Sequence, residues 1–355
     1  MTGIIRRIFS DQPAGTRFAI IGVYCILAAG NIGAWIWAYI SFHAHPVMLG
    51  TALLAYGFGL RHSVDADHIA AIDNVVRKLM QEGKRPVAVG FFFSLGHSMV
   101  VLMMAATVAF GAHELQGRFE AFKHLGGVIS TSVSAFFLLL VAIMNIFIMM
   151  GTWETFHRVK NSGQYDEEDM NIILARGGWL ARIFRPVFKL IRRSWHMFPL
   201  GFLFGLGFDT ATEVALLAIA ATEASKGVSV WSVLVFPALF TAGMSLVDST
   251  DGILMLGAYG WAFLNPLRKL FYNLTVTAVS VVVALLIGGI ETLGLIGDQC
   301  SMEGRFWDYV RALNDNFGTL GYLIIGLFAV TWFISMMVYR IKGYDRIVIG
   351  APAAN

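Results

Sequence analysis

The chain of 355 residues is 57% hydrophobic and only 14% charged, where an ordinary soluble domain carries about a quarter of its residues as charges. That composition excludes a soluble globular domain and leaves a polytopic membrane protein. The net charge of +3 is small, so its distribution matters more than its size and no nucleic-acid partner is expected; the two cysteines, Cys25 in an apolar run and Cys300 in a polar loop, make neither a disulfide framework nor a CxxC metal site.

A hydrocarbon core roughly 30 Å thick needs about twenty apolar residues per crossing helix, and eight runs qualify. The first, 18–42, follows the basic leader MTGIIRRIFSDQPAGTRF as a signal peptide would. It is long enough to span and has no small-residue cleavage pattern after it, so it is read as a retained first helix. The second, 47–77, is interrupted by the polar cluster RHSVDADHIAAID, and the third and fourth cover 87–110 and 127–151. A long loop, 152–197, comes next. Its segment ARGGWLARIFRPVFKLIRRSW alternates basic residues with Trp, Phe, Leu and Ile, the pattern of an amphipathic helix at the lipid headgroups. The fifth to eighth runs are 198–221, 230–257, 269–297 and 317–341, the sixth again broken by polar residues.

Loop charge orients these spans. With the N-terminus inside, twenty of the 26 Lys and Arg residues fall on the cytoplasmic side. Only Arg118, Lys123, Lys226, Arg305 and Arg311 fall outside, and Arg61 lies within the second span. The positive-inside rule then predicts an all-α integral membrane protein with eight transmembrane helices, both termini and the 152–197 loop cytoplasmic, and residues 1–355 forming a single transmembrane domain.

A repeat connects the polar spans. FGLRHSVDADHIAAI at 58–72 aligns without gaps on FGLGFDTATEVALLA at 204–218, which sets Asp67 against Glu213. FSLGHSMV at 93–100 aligns on FTAGMSLV at 240–247, which sets His97 against Met244. The paired spans run in opposite directions, so the pattern predicts an inverted repeat of helices 2–4 against 5–7, a recurrent plan for transporters whose interrupted helices meet at the substrate.

Ionisable groups at membrane depth are costly and point to a functional site. Arg61 and Asp65, four residues apart, can simply pair with each other. His62, Asp67 and His68 fit a divalent transition metal better, because imidazole suits Ni, Co, Cu and Zn. At 100° per residue, His62, Asp65 and His68 share one broad face of a straight helix, while Asp67 lies roughly 140° from His62. Either the helix unwinds, with Gly57 and Gly59 as candidate weak points, or Asp67 faces a neighbouring helix.

RHSVDADHI, with His62, Asp67 and His68 in H-x4-D-H spacing, resembles the signature of the nickel/cobalt transporter (NiCoT) permeases. GFFFSLGHSMVV at 90–101, FLFGLGFDTATEV at 202–214 and GMSLVDSTDG at 243–252 extend the likeness over essentially the whole chain. The pattern often reads RHA or SLGHSS where this chain has RHS and SLGHSM, and neither departure removes a candidate ligand. The resemblance implies uptake of Ni²⁺, with Co²⁺ the alternative substrate, across a bacterial cytoplasmic membrane, without a cofactor. It also implies metal recognition by His62, Asp67 and His68. His97, in the third-span motif, joins the candidate ligands, as do Asp65 and Asn31. The resemblance further associates Asn31 together with Val64 with nickel preference. Asp73, Asp209, Glu213, Asp248 and Asp251 are the candidates for the ion pathway or a proton relay.

Three rival functions have less support. A membrane metalloenzyme needs many histidines at one membrane face, or HExxH; an ATP-driven pump needs GxxxxGK[ST], which does not occur. A cation channel could be lined by the buried Asp and Glu residues, but the inverted repeat and mixed His/Asp ligation favour a carrier.

Overall fold

In the computed structural model, residues 8–13, 15–111, 116–162, 191–206, 211–262 and 266–342 are described. Every regular element among them is a helix. α1 (Thr16–Phe42) is the first apolar span, and α2 (Pro46–His62) starts with proline at its first turn, where a missing N–H costs nothing. α3 (Ala66–Gln81) follows after a three-residue break, then α4 (Val89–Gly111) and α5 (Gln116–Ser162). A 3₁₀ turn at Ser194–His196 leads into α6 (Met197–Phe204), and after the turn residues Gly205 and Leu206 the chain resumes as α7 (Ala211–Ser225). α8 (Val230–Val233), α9 (Val235–Ala262), α10 (Pro266–Gln299), α11 (Arg305–Asn314) and α12 (Phe317–Ile341) complete the order.

Among the described residues, six stretches are long and apolar enough to cross a membrane: 16–42, 89–109, 125–157, 230–260, 270–299 and 317–341. The expected second and fifth spans are instead two-piece, α2 with α3 and α6 with α7. The break in the second span falls at Ser63–Asp65 rather than at Gly57 or Gly59. Gly59 is needed for another reason: a Cβ there would collide with the carbonyl of Phe240 on α9, so the glycine lets two helices touch. α5 also runs well beyond the expected 127–151, and the amphipathic α11 lies in the connection between α10 and α12, where no helix was expected. Most of the basic segment of the long loop lies outside the described residues.

α3 is a polar helix with almost every side buried. It stops in a Schellman turn: Gly83, at φ 76°, donates to Met80 O at 3.0 Å, and Lys84 N donates to Leu79 O at 3.0 Å. α7 stops the same way, with Gly227 at φ 79° donating to Ala224 O at 3.0 Å and Val228 N donating to Glu223 O at 3.2 Å. Around these pieces α2 packs on α9, α4 packs on α6 and α9, and α5 lies along α10. At the end of the bundle where α6 begins, Ser194 donates from its backbone N (2.9 Å) and its hydroxyl to the carboxylate of Asp11. Burial raises the Asp11 carboxyl above its ordinary range, and those two hydrogen bonds oppose the rise.

Candidate metal site

The break at Ser63–Asp65 turns the chain so that His62, at the end of α2, and His68, in the first turn of α3, face each other. Their ring centroids are 4.7 Å apart. α4 adds His97, whose ring lies 4.8 Å from that of His62 and 4.9 Å from that of His68. All three side chains are buried. One nitrogen from each can be chosen so that the three lie within 4.8 Å of one another. Imidazole–metal bonds of about 2.1 Å put neighbouring ligand nitrogens roughly 3 Å apart, so small side-chain shifts would close the three on one ion.

Carboxylates set the tautomers. An ionised carboxylate only accepts, so His62 Nδ1–H donates to Asp65 Oδ2 (3.0 Å), leaving the Nε2 lone pair for a ligand. His68 Nδ1 points at Asp248 Oδ1 (3.4 Å), and its Nε2 has no partner. His97 Nε2–H donates to Glu213 Oε1 (2.9 Å) and also lies 2.9 Å from His62 Nε2, so one proton lies where two imidazoles and a carboxylate meet. His97 Nδ1 and Asp248 Oδ2 are buried without partners. A carboxylate behind a histidine, with its far nitrogen turned inward, is the usual support of a metal-binding imidazole. Phe93 and Phe240 wall the group, with ring centroids 4.8 Å from His68 and 5.5 Å from His62. Thr212 Oγ1, at 3.4 Å from His62 Nδ1, is a neighbour that spacing alone did not single out.

The two broken helix pairs meet here. Asp67 stands in the first turn of α3, and Glu213, with which the sequence alignment paired it, stands in the first turn of α7, where helix N-termini favour negative charge. Asp67 is half-buried and is not one of the converging ligand atoms. Arg61 closes the outer side, donating through Nη1 to Asp65 Oδ1 (3.0 Å).

The other candidates are dispersed. Asn31 donates to Leu27 O (2.9 Å) and Ala242 O (3.3 Å) and accepts from Tyr56 (2.9 Å), tying α1 to α9 and α2. Val64 sits in the helix break with its side chain in the apolar core. Asp73, on another face of α3, accepts from Tyr259 at 2.5 Å and Ser280 at 2.8 Å. Asn74 next to it accepts from Arg77 at 2.6 Å and from Asn145 at 2.8 Å. The sequence reading missed this second buried network. Its only signal was that the polar run continues past His68 to Arg77. Asp251 Oδ2 has no partner, and Asp209 lies outside the described residues.

A helical bundle with membrane-length helices, holding three imidazoles and their carboxylates where two spans are interrupted, defines a multi-pass transporter of transition-metal ions. Residues 48–338 match the family model described as high-affinity nickel-transport protein, NicO. The chain therefore belongs to that family of permeases and is a multi-pass protein of the cytoplasmic membrane, not an enzyme. It is 58% identical over 329 residues to a high-affinity nickel transport protein of Cupriavidus necator, covering 93% of this chain and 94% of the relative. It is 45% identical over 336 residues to the nickel transporter NicT of Mycobacterium tuberculosis (92% and 89%). It is 36% identical over 331 residues to the cobalt transport protein NhlF of Rhodococcus rhodochrous (91% and 92%). No solved structure matches the chain.

Proposed function

We propose that the protein carries Ni²⁺ into the cell as a secondary permease, with the ion held between His62, His68 and His97. The observation that carries this reading is the buried trio of imidazoles, each with a carboxylate at hydrogen-bonding distance and with nitrogens directed at one another. Imidazole nitrogens select borderline transition metals over Mg²⁺, which prefers an all-oxygen set. An ion that takes His97 through Nε2 displaces the proton there, and one that takes the unpartnered Nδ1 leaves that proton on its bond to Glu213; either way Glu213 is the proton-linked residue. Asp65 and Asp248 orient the ligands, Asp67 lends charge from the first turn of α3, and Asp251 lines the pathway; Asp209, outside the described residues, keeps the pathway or proton-relay role read from the sequence. Asn31 and Val64 act on selectivity through the helix packing around the site. Asp73 fastens α3 to α9 and α10.

In this reading the chain forms one transmembrane domain of eight spans, with α2–α3 and α6–α7 as the two interrupted ones, and both termini and the 152–197 loop cytoplasmic. An inverted repeat is supported by matched details. The equivalent glycines Gly96 and Gly243 each lie against the backbone of the other half's interrupted span, at Phe198 and Phe202 and at Tyr56 and Leu60. The two second half-helices end in the same glycine turn.

Cobalt is the second reading, favoured by the NhlF relative and by a ligand set that suits both ions. Uptake of ⁶³Ni²⁺ at trace concentration, competed with Co²⁺, Zn²⁺ and Mg²⁺, tests both. Uptake that resists excess Mg²⁺ and Zn²⁺ and yields to Co²⁺ is the expected result, and the ratio of Ni²⁺ to Co²⁺ competition ranks the two. No uptake above empty cells, with the protein in the membrane, would sink the transport reading.

A further inference from the structure

α12 looks peripheral: most of its length faces outward, and it contributes no metal ligand. Its first turns, however, press on the break that makes the site. Gly321 lies so close to Val64 that an added Cβ would collide with the Val64 carbonyl oxygen and come within 2.8 Å of its carbonyl carbon and 3.3 Å of that of Asp65. One turn earlier, a Cβ on Gly318 would run into the guanidinium of Arg61. Gly326, on the same helix, has open space where its Cβ would be. The close approach is therefore confined to the turns beside the break.

What those turns touch leads directly to a ligand. Arg61 Nη1 donates to one oxygen of Asp65, and the other oxygen accepts from His62 Nδ1, both at 3.0 Å. Asp65 occupies the N-cap position of α3 yet does not cap it; its carboxylate is committed to Arg61 and His62 instead. The Asp65 side chain is 3% exposed, so its position is fixed by what packs around it. Opposite His62 stands the unpartnered, fully buried Nε2 of His68, so a tilt of the His62 ring changes the gap the ion must bridge.

We propose that α12 is the seat of the metal site: Gly318 and Gly321 hold the helix break and the Arg61–Asp65 pair in the one arrangement that aims His62 Nε2 at the ion. Arg61, Gly318 and Gly321 are positioning residues. The inference rests on His62 being a ligand and assigns the precision of that ligand to a helix outside the repeat.

The test is ⁶³Ni²⁺ uptake by cells expressing the full chain, with KM and Vmax normalised to protein in the membrane. Gly318→Ala meets only the tip of a flexible side chain and should fold; it should raise KM about ten-fold, the usual scale for a lost support behind a metal ligand, with Vmax per molecule kept within about two-fold. Gly321→Ala, which meets backbone, should raise KM further, and Gly326→Ala should match the parent. In an Arg61→Ala background, Gly318→Ala should add nothing, because the displaced group is gone. An unchanged KM for Gly318→Ala at normal abundance overturns the proposal, as does a full additional effect in the Arg61→Ala background. If Gly318→Ala fails to reach the membrane, Arg61→Ala alone decides: a raised KM supports the seat, and the parent KM overturns it. Loss of uptake in His62→Ala together with a parent-like Gly318→Ala would sink this inference and leave the metal site standing. Retained uptake in His62→Ala would sink the site itself.

Discussion

Two buried polar clusters sit on different faces of α3, and their unmet atoms have opposite character. On the face of His68 the atoms without partners are acceptors, His68 Nε2 with His97 Nδ1 and Asp248 Oδ2 around it. On the face of Asp73 both carboxylate oxygens already accept hydrogen bonds, and the atoms without partners are donors, Arg77 Nε and Nη1. Leaving either kind unmet costs about 1–3 kcal/mol per group. Only unmet acceptors can be satisfied by a cation. Two faces of one helix thus serve different ends, and the sign of what is missing distinguishes a metal site from a fastening.

The sharpest way to break that comparison is to remove one imidazole. His62→Ala or His68→Ala should reduce ⁶³Ni²⁺ uptake by more than about 100-fold at normal membrane abundance, since loss of a single supporting partner already costs 10–100-fold. Asp248→Asn comes next, with KM raised about ten-fold through a loosened His68 and abundance unchanged. Asp73→Ala should do the reverse. It strands the hydroxyls of Tyr259 and Ser280, lowers thermal stability in detergent by about 1–3 kcal/mol, and leaves KM as it was. A raised KM for Asp73→Ala at full abundance would move Asp73 to the metal's side of the comparison. Acidification should weaken uptake, because a protonated imidazole cannot ligate; uptake measured from pH 7.5 to 5.5 checks it, and a flat profile would argue against imidazole ligation. The smallest effect belongs to Tyr56→Phe. Losing its bond to Asn31 should cost about 0.5–1.5 kcal/mol of stability and shift the Ni²⁺ to Co²⁺ competition ratio only slightly.

Much of this was legible in the sequence where hydrophobic length decides the matter. The last span, 317–341, matches α12, and 269–297 falls within α10. His62, His68, Asp65, Glu213 and Asp248 were singled out by their cost at membrane depth, and His97 by the motif of the third span. The position of the break was not legible, because Ser63, Val64 and Asp65 include neither glycine nor proline. What packs on them is Gly321, more than two hundred and fifty residues further on. Arg61 and Asp65 pair four residues apart, as their spacing allows, and His62 bonds Asp65 across the place where the helix stops. His97 reached its place by tertiary packing, which no spacing within the second span could reveal. The network around Asp73 was invisible for a similar reason, as Tyr259 and Ser280 lie nearly two hundred residues away.

The two half-helices that begin at the site have one more consequence. α3 and α7 each turn a positive end toward the ion, equivalent to about half a charge apiece, and Arg61 adds a full one. Against them stand Asp65, Asp67, Glu213 and Asp248. The carboxylates outnumber these positive ends, so the broken helices temper an acidic chamber without reversing its sign, and the chamber still favours a cation over an anion.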